Sequence, residues 1–145
     1  MLKIITGKNN PILKRKSRPI KKIDDGIKQL AENMLEIMKK NDGIGLSACQ
    51  VGKNIRMFVL PNGLLKKWVF INPEIIKSSK KTDTVEEGCL SLPGIFVSVE
   101  RSKSIKVKAM DENGKKFTLR VKGLPARVIQ HENDHLDGVL ITDYK

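Results

Sequence analysis

The sequence has only two cysteines, six aromatic residues and no long apolar run among its 145 residues. Two cysteines cannot form a disulfide framework, so nothing in the chain requires an oxidising compartment. No apolar run approaches the roughly 20 residues that cross a bilayer, and the N-terminus lacks the apolar segment of a secretory signal. We therefore expect a cytoplasmic protein without a membrane partner.

The chain is also poor in acidic residues, because 28 Lys and Arg stand against 16 Asp and Glu, giving a net charge of +12. Most of this excess is lysine, with 22 Lys and 6 Arg. Arginine and interleaved aromatic residues are typical of proteins that read nucleic acids, and both are scarce here. The composition favours a solvated lysine-rich surface without specific nucleic-acid recognition, while a surface that contacts a polyanion such as RNA stays open.

The spacing of apolar residues predicts two helices. Apolar side chains recur every three or four residues from about Asp24 to Lys40, which predicts an amphipathic N-terminal helix. Pro125 suits the first turn of a second helix, which we expect to reach about Leu136 before Gly138 ends it.

Short strands are predicted between these helices. Two apolar segments, 56–60 and 68–71, flank a Pro-Asn-Gly turn. From Phe96 onward strand patterns dominate, and residues 111–114 join two alternating runs as a hairpin. The predicted fold class is α+β, with antiparallel strands packed around a C-terminal helix, plus the N-terminal amphipathic helix.

The predicted second helix contains both histidines of the chain, His131 and His135, in a His-Glu-x-x-His motif. Residues four apart lie on one face of a helix, together with Leu124 and Val128, so we expect both imidazoles to face the interior. Burying two imidazoles without partners is unfavourable, whereas a divalent metal ion would satisfy both. The motif therefore predicts a metal site.

A catalytic site of this kind takes three protein ligands and leaves one position open for water. No third histidine exists, so the remaining ligand is expected from Cys49 or Cys89. Cys49 lies in a segment of small residues, and Cys89 follows a glycine that frees the backbone. Spacing alone does not choose between the two cysteines.

Three segments of the chain resemble motifs of the peptide deformylase family in order and spacing. They are Gly-Ile-Gly-Leu-Ser-Ala-Cys-Gln at 43–50, Glu-Gly-Cys-Leu-Ser at 87–91 and Gln-His-Glu-Asn-Asp-His-Leu-Asp-Gly at 130–138. The likeness covers nearly the whole chain and implies one catalytic domain over residues 1–145, without the C-terminal helical extension of many bacterial relatives. Cys49 departs from the family pattern, and we interpret it as a buried neutral thiol.

The resemblance implies a metal-dependent hydrolase that removes the N-formyl group from formylmethionine on newly made peptides and releases formate. It assigns the thiolate ligand to Cys89, beside His131 and His135. The family implies Fe²⁺ as the cellular ion, with Zn²⁺, Ni²⁺ or Co²⁺ as substitutes. Such an enzyme would encounter N-formylmethionyl nascent peptides and could contact the ribosome through its basic surface.

Glu132 projects about 100° around the helix from His131, so it need not bind the ion and could act as a general base. The resemblance implies that the Gln50 side chain and the Leu90 backbone N–H stabilise the oxyanion. Ile44 and Gly45 are expected to bind the peptide backbone like an added strand. The side of the helix around Val128 is expected to receive the methionine side chain.

Two other functions fit parts of the pattern. Metallopeptidases that cut ordinary peptide bonds share the paired-histidine helix, but they usually complete the site with a third His or a Glu. A non-catalytic basic module with a structural metal site would close it with four protein ligands, for which Cys49 would have to join Cys89.

Overall fold

A computed structural model describes residues 2–145. Within these residues there are three α-helices: α1 (Pro11–Lys14), α2 (Asp25–Lys40) and α3 (Leu124–Leu136). Seven strands are present: β1 (Leu46–Ser47), β2 (Met57–Val59), β3 (Val69–Ser78), β4 (Thr82–Cys89), β5 (Leu92–Ser102), β6 (Ser104–Met110) and β7 (Lys116–Lys122). Two 3₁₀ turns lie at Ala48–Val51 and Ile141–Tyr144.

The strands form two antiparallel sheets. Five of them pair in the order β1-β2-β3-β6-β7, and β4 pairs with β5 in a separate hairpin. The two predicted strand segments around the Pro-Asn-Gly turn correspond to β2 and the start of β3, which continues to Ser78. The predicted hairpin at 111–114 joins β6 to β7. The α+β class with antiparallel strands is therefore confirmed.

Helix α2 covers one side of the larger sheet. The Asp24 carboxylate accepts a hydrogen bond from the Ile27 N–H and caps the helix, as its residue type favours. Ala31, Met34 and Met38 are buried and pack in one cluster with residues of β1, β2 and β3. This packing fixes the Gly-rich segment that follows α2 and leads into β1.

Helix α3 packs against the opposite side of the same sheet. Ala126, Val128, Ile129 and Leu136 lie in a buried cluster with side chains from β2, β3, β6 and β7. Pro125 stands in the first turn of α3, and Gly138 follows the helix with φ 75°, a conformation that glycine adopts without strain. Helix α3, which carries both histidines, is therefore held against the sheet along its length.

The hairpin of β4 and β5 brings Cys89 to helix α3. Cys89 is opposite Leu92, so Leu90 and Ser91 form the turn, and the strand register shifts between Glu87 and Cys89. A β-bulge of this kind redirects side chains beside a site. The sequence predicted no strand over 82–89, because most of the side chains of β4 are exposed and polar.

Candidate active site

A cleft of about 390 Å³ opens between the segment before β1, the β4–β5 turn and helix α3. Its walls include eight of the nine residues predicted for the site: Ile44, Gly45, Gln50, Cys89, Leu90, Val128, His131 and Glu132. The ninth residue, His135, is buried beneath the cleft with 1% of its surface exposed. The structure thus brings the predicted residues together from three separate parts of the chain.

Cys89, His131 and His135 form a group whose ligand atoms all lie within 4.8 Å of one another. The Nε2 atom of His135 is 3.4 Å from the Cys89 Sγ and 3.3 Å from the His131 Nε2. One sulfur and two imidazole nitrogens are a donor set suited to a divalent transition metal. The residues present therefore fit a metal ion.

The histidines differ in their surroundings. Burial lowers the pKa of His135 well below its usual value, and the neighbouring His131 lowers it further, so His135 keeps a neutral imidazole. Burial also lowers the pKa of His131, but hydrogen bonds with Cys89 and Glu87 outweigh this and raise it to about 10. Bound metal requires free nitrogen lone pairs, so it would compete with a proton at His131.

Glu87 orients the His131 ring. Its Oε1 atom lies 2.8 Å from the His131 Nδ1, so the carboxylate accepts a hydrogen bond from the Nδ1–H and leaves Nε2 for an ion. Two arginines hold Glu87 in turn. Arg101 donates to it at 2.7 and 3.0 Å, and Arg127 donates through its NH1 nitrogen. The Arg101 side chain also donates to Asp134 at 2.9 Å, which ties the network back to α3.

Glu132 is 4% exposed, and its carboxylate lies beside the group of ligand atoms. The Ser47 hydroxyl lies 2.9 Å from both the Glu132 Oε1 and its backbone carbonyl oxygen. The Oε2 atom is 4.0 Å from the His131 Nε2 and faces the cleft. Burial raises the pKa of Glu132, although His131 and Ser47 oppose the rise. A carboxylate with a raised pKa is suited to accept a proton.

The Gln50 side chain contacts both the segment around Ser47 and the β4–β5 turn. Its side-chain oxygen accepts a hydrogen bond from the Ser47 N–H at 2.9 Å. Its amide nitrogen donates to the Ser91 hydroxyl at 3.0 Å and lies 3.6 Å from the Cys89 sulfur. The amide is therefore fixed at the cleft wall beside the turn that contains Leu90.

Comparisons with known proteins agree with this geometry. The family model described as polypeptide deformylase matches residues 1–145. The chain is 47% identical over 134 residues to a peptide deformylase of Thermotoga neapolitana, covering 92% of this chain and 81% of that protein.

Solved structures give the same result. The crystal structure of peptide deformylase from Thermotoga maritima is 44% identical, has a TM-score of 0.92, and is matched over 99% of this chain and 96% of that one. A peptide deformylase from Synechococcus elongatus, solved in complex with actinonin, is 40% identical with a TM-score of 0.93 over 98% of this chain and 77% of that one.

The chain belongs to the peptide deformylase family. It is accordingly a hydrolase that removes the formyl group from newly made peptides, and the family consists of metal-dependent enzymes. Within residues 2–145, no helix has both the length and the apolar character needed to cross a membrane.

The deformylase cleft has an apolar rim. Ile44, Phe96 and Leu124 are 54%, 63% and 56% exposed, and all three line the cleft. Leu124 lies on the same side of α3 as His131, as expected, but because it begins the helix it projects at the cleft mouth and not into the interior. Val128, one turn later, is buried at 4% exposure and reaches the cleft wall, as predicted.

Cys49 lies apart from the three-residue group. It is fully buried, and its thiol donates to the His135 backbone carbonyl at 3.5 Å. Burial is the main reason that the pKa of Cys49 rises to about 12, so the thiol stays protonated at neutral pH. This agrees with the interpretation of Cys49 as a buried neutral thiol.

Glu87, Arg127 and Ser47 contact the site, but the sequence predicted no role for them. A Glu-Glu pair preceding the Gly-Cys of the second motif was the available signal for Glu87. Ser47 lies in the first of the three motifs, but neither its position nor that of Arg127 predicts the contacts that they make with Glu132 and Glu87.

Proposed function

We propose that Cys89, His131 and His135 hold one divalent ion and that the residues around it carry out deformylation. The observation that supports this most directly is the convergence of one sulfur and two imidazole nitrogens within 4.8 Å of one another on the cleft wall. Three protein ligands would leave a position for water and substrate.

When bound, such an ion lowers the pKa of a coordinated water and polarises the formyl oxygen. We propose Fe²⁺ as the cellular ion, with Zn²⁺, Ni²⁺ or Co²⁺ able to replace it. A thiolate beside ferrous iron is sensitive to oxidation, so this choice requires a reducing compartment.

Glu132 acts as the general base in this proposal. Its Oε2 atom accepts a proton from the attacking water while Oε1 stays fixed by the Ser47 hydroxyl. The same oxygen then returns the proton to the peptide nitrogen as the bond to the formyl carbon breaks. Formate and a peptide with a free amine leave.

Gln50 and Leu90 stabilise the charge that develops on the formyl oxygen. The Gln50 amide is held at the cleft wall by Ser47 and Ser91, so it needs little reorganisation to donate. Leu90 would donate its backbone N–H from the β4–β5 turn. Removing one donor of this kind typically raises a reaction barrier by about 3 kcal/mol.

Ile44 and Gly45 bind the peptide backbone in this proposal, at the free edge that precedes β1. Val128, with Ile44 and Leu124 at the rim, supplies apolar surface for the methionine side chain. The same cleft is where we expect actinonin to bind, by analogy with the Synechococcus elongatus protein.

Formate release from formyl-Met-Ala tests the proposal, with acetyl-Met-Ala and an internal peptide bond as comparison substrates. We expect turnover of the formyl substrate alone, and inhibition by actinonin. Cleavage of the internal bond would instead support a metallopeptidase. Metal bound without turnover of any substrate would support a non-catalytic module.

Residues 1–145 are proposed as one catalytic domain, and the cytoplasm as its location. Contact with the ribosome through the basic surface is also proposed, supported by the net charge of +12. Salt-insensitive ribosome binding would contradict an electrostatic contact.

A further inference from the structure

Three cations form a row across β3, β6 and β7, on the face of the sheet that points away from α3. Lys77 of β3 is directly opposite Lys106 of β6, which is directly opposite Arg120 of β7. Paired residues share a face of the sheet, so three cations stand side by side at strand spacings of about 4.8 Å. Directly opposed like charges destabilise a sheet. Nothing in the fold of β3, β6 and β7 requires this row.

The row lines a groove of about 490 Å³ that also includes Lys122 and contains no acidic residue. The neighbouring row is arranged differently, because Lys108 is paired with Glu74 at 3.6 Å. Among residues 2–145, none of the four cations of the groove forms an ion pair. The positive charge of this groove is therefore available to a partner.

Hydrogen bonds of two serine hydroxyls connect the strand ends at one end of the groove. The Ser79 hydroxyl accepts from the Ser104 N–H at 3.1 Å and donates to the Lys81 carbonyl at 2.7 Å. The Ser102 hydroxyl donates to the Ser79 carbonyl at 3.0 Å. These bonds join the ends of β3, β4, β5 and β6, so the groove is formed before any partner binds.

The groove lies on the far side of the sheet from the catalytic cleft. Ile105, Val107 and Val121 alternate with the cations and pack in the same cluster as α3. Side chains alternate between faces along a strand, so the cations point away from the helix that carries both histidines. A partner bound in the groove leaves the cleft open.

We propose that this groove binds the phosphate backbone of RNA without reading its sequence. A line of cations across three strands is longer than one free phosphate and matches a chain of them. The concave shape admits a strand, whereas a flat anionic membrane would meet only the rim. No aromatic residue lines the groove, which agrees with contacts to phosphates rather than to stacked bases.

The test compares two full-length variants with equal loss of charge. One replaces Lys77, Lys106, Arg120 and Lys122 by Gln. The control replaces Lys16, Lys21, Lys22 and Lys39, which are exposed lysines outside the groove. Fluorescence anisotropy of a labelled 20-nucleotide oligouridylate gives the affinity over a series of salt concentrations. Sedimentation with anionic phosphatidylglycerol vesicles provides the membrane comparison.

We expect the groove variant to bind RNA about tenfold or more weakly, with a salt slope about 3 less steep than that of the unmodified protein. The control should keep most of the affinity, and Arg120→Lys should bind normally because it keeps the charge. Equal losses in both quadruple variants, loss in the control alone, or loss of vesicle binding with RNA binding intact would overturn the proposal.

Formyl-Met-Ala turnover separates this inference from the proposed function. None of the four groove residues lines the catalytic cleft, so the groove variant should turn over the dipeptide at the normal rate, which also shows that it folds. Absence of turnover in the unmodified protein would contradict the proposed function and leave the RNA result to stand by itself.

Discussion

Glu132 combines burial with a fixed orientation. One oxygen is held by the Ser47 hydroxyl at 2.9 Å, and the other faces the cleft beside His131. Because the carboxylate is not one of the three proposed ligands, its proposed role as a base can be separated from metal binding.

Glu132→Gln tests this separation. The amide keeps the size of the side chain and its contact with Ser47, but it cannot accept the proton. We expect formate release to fall about 10²- to 10⁴-fold, while bound metal per chain stays unchanged. Turnover at the normal rate by this variant would contradict the general-base role.

Glu87 is the second residue on which the site depends. It is the common partner of His131, Arg101 and Arg127. Burial raises the pKa of Glu87, but its contacts with His131 and Arg101 outweigh this and lower the pKa to about 2. The role proposed for Glu87 is positioning, because it would act on the proposed ion through the His131 ring.

Glu87→Gln should weaken metal affinity about 10- to 100-fold, measured by competition with a chelator. Glu86→Gln is the matched control, since Glu86 is the exposed neighbour on the same strand. We expect the control to bind metal normally. Equal affinities for the two variants would show that the Glu87–His131 contact does not position the ligand.

At the scale of elements, the segment before β1 packs tightly against α3. A Cβ atom on Gly45 would lie 2.6 Å from the Glu132 Oε2, closer than nonbonded atoms allow. The glycine thus permits the strand edge and the Glu132 carboxylate to share one wall of the cleft.

Gly45→Ala is predicted to displace the Glu132 carboxylate and reduce turnover by at least about tenfold. Gly26→Ala is the control, because Gly26 lies in the first turn of α2, far from the cleft. There, alanine should preserve activity, because the nearest atom to its Cβ is the Asp24 Oδ1 at 3.2 Å and not an atom of the cleft. Full activity of Gly45→Ala would mean that the carboxylate tolerates a shift at this position.

The elements also show what sequence patterns can predict. Helices α2 and α3 and the β6–β7 hairpin have clear periodicity because one face of each is buried, and each was predicted close to its observed bounds. Strand β4 was missed because it pairs only with β5 and is mostly exposed. A strand without a buried face leaves no alternating pattern to detect.

The site likewise has a part that local sequence spacing predicts and a part that it does not. The histidine pair is local in sequence, so its spacing predicted a shared helix face. The contact between Glu87 and His131 joins residues 44 apart, and Glu87 is also reached by Arg101 from β5 and by Arg127 from α3. Such contacts depend on how the hairpin packs against α3, which no local pattern specifies.

For the whole molecule, the proposed ion joins the β4–β5 hairpin to α3 and should therefore stabilise the fold. A ligand that binds only the folded chain adds about 2.7 kcal/mol at a free concentration 100 times its Kd. Adding Ni²⁺ to metal-free protein should raise the thermal unfolding midpoint measured by circular dichroism.

Two cysteine variants make this prediction specific. Cys89→Ala should abolish the Ni²⁺-dependent rise, whereas Cys49→Ala should keep it, because Cys49 lies outside the three-residue group. A rise that survives in Cys89→Ala, or that disappears in Cys49→Ala, would place the ion elsewhere.

The most direct test of the account is the metal content of anaerobically purified protein, measured together with formate release from formyl-Met-Ala. We predict about one divalent ion per chain, as a three-ligand site requires, and turnover that disappears when a chelator removes the ion. Protein that releases formate at an unchanged rate without a metal ion, or that holds an ion after His131, His135 and Cys89 are all replaced by Ala, would contradict it.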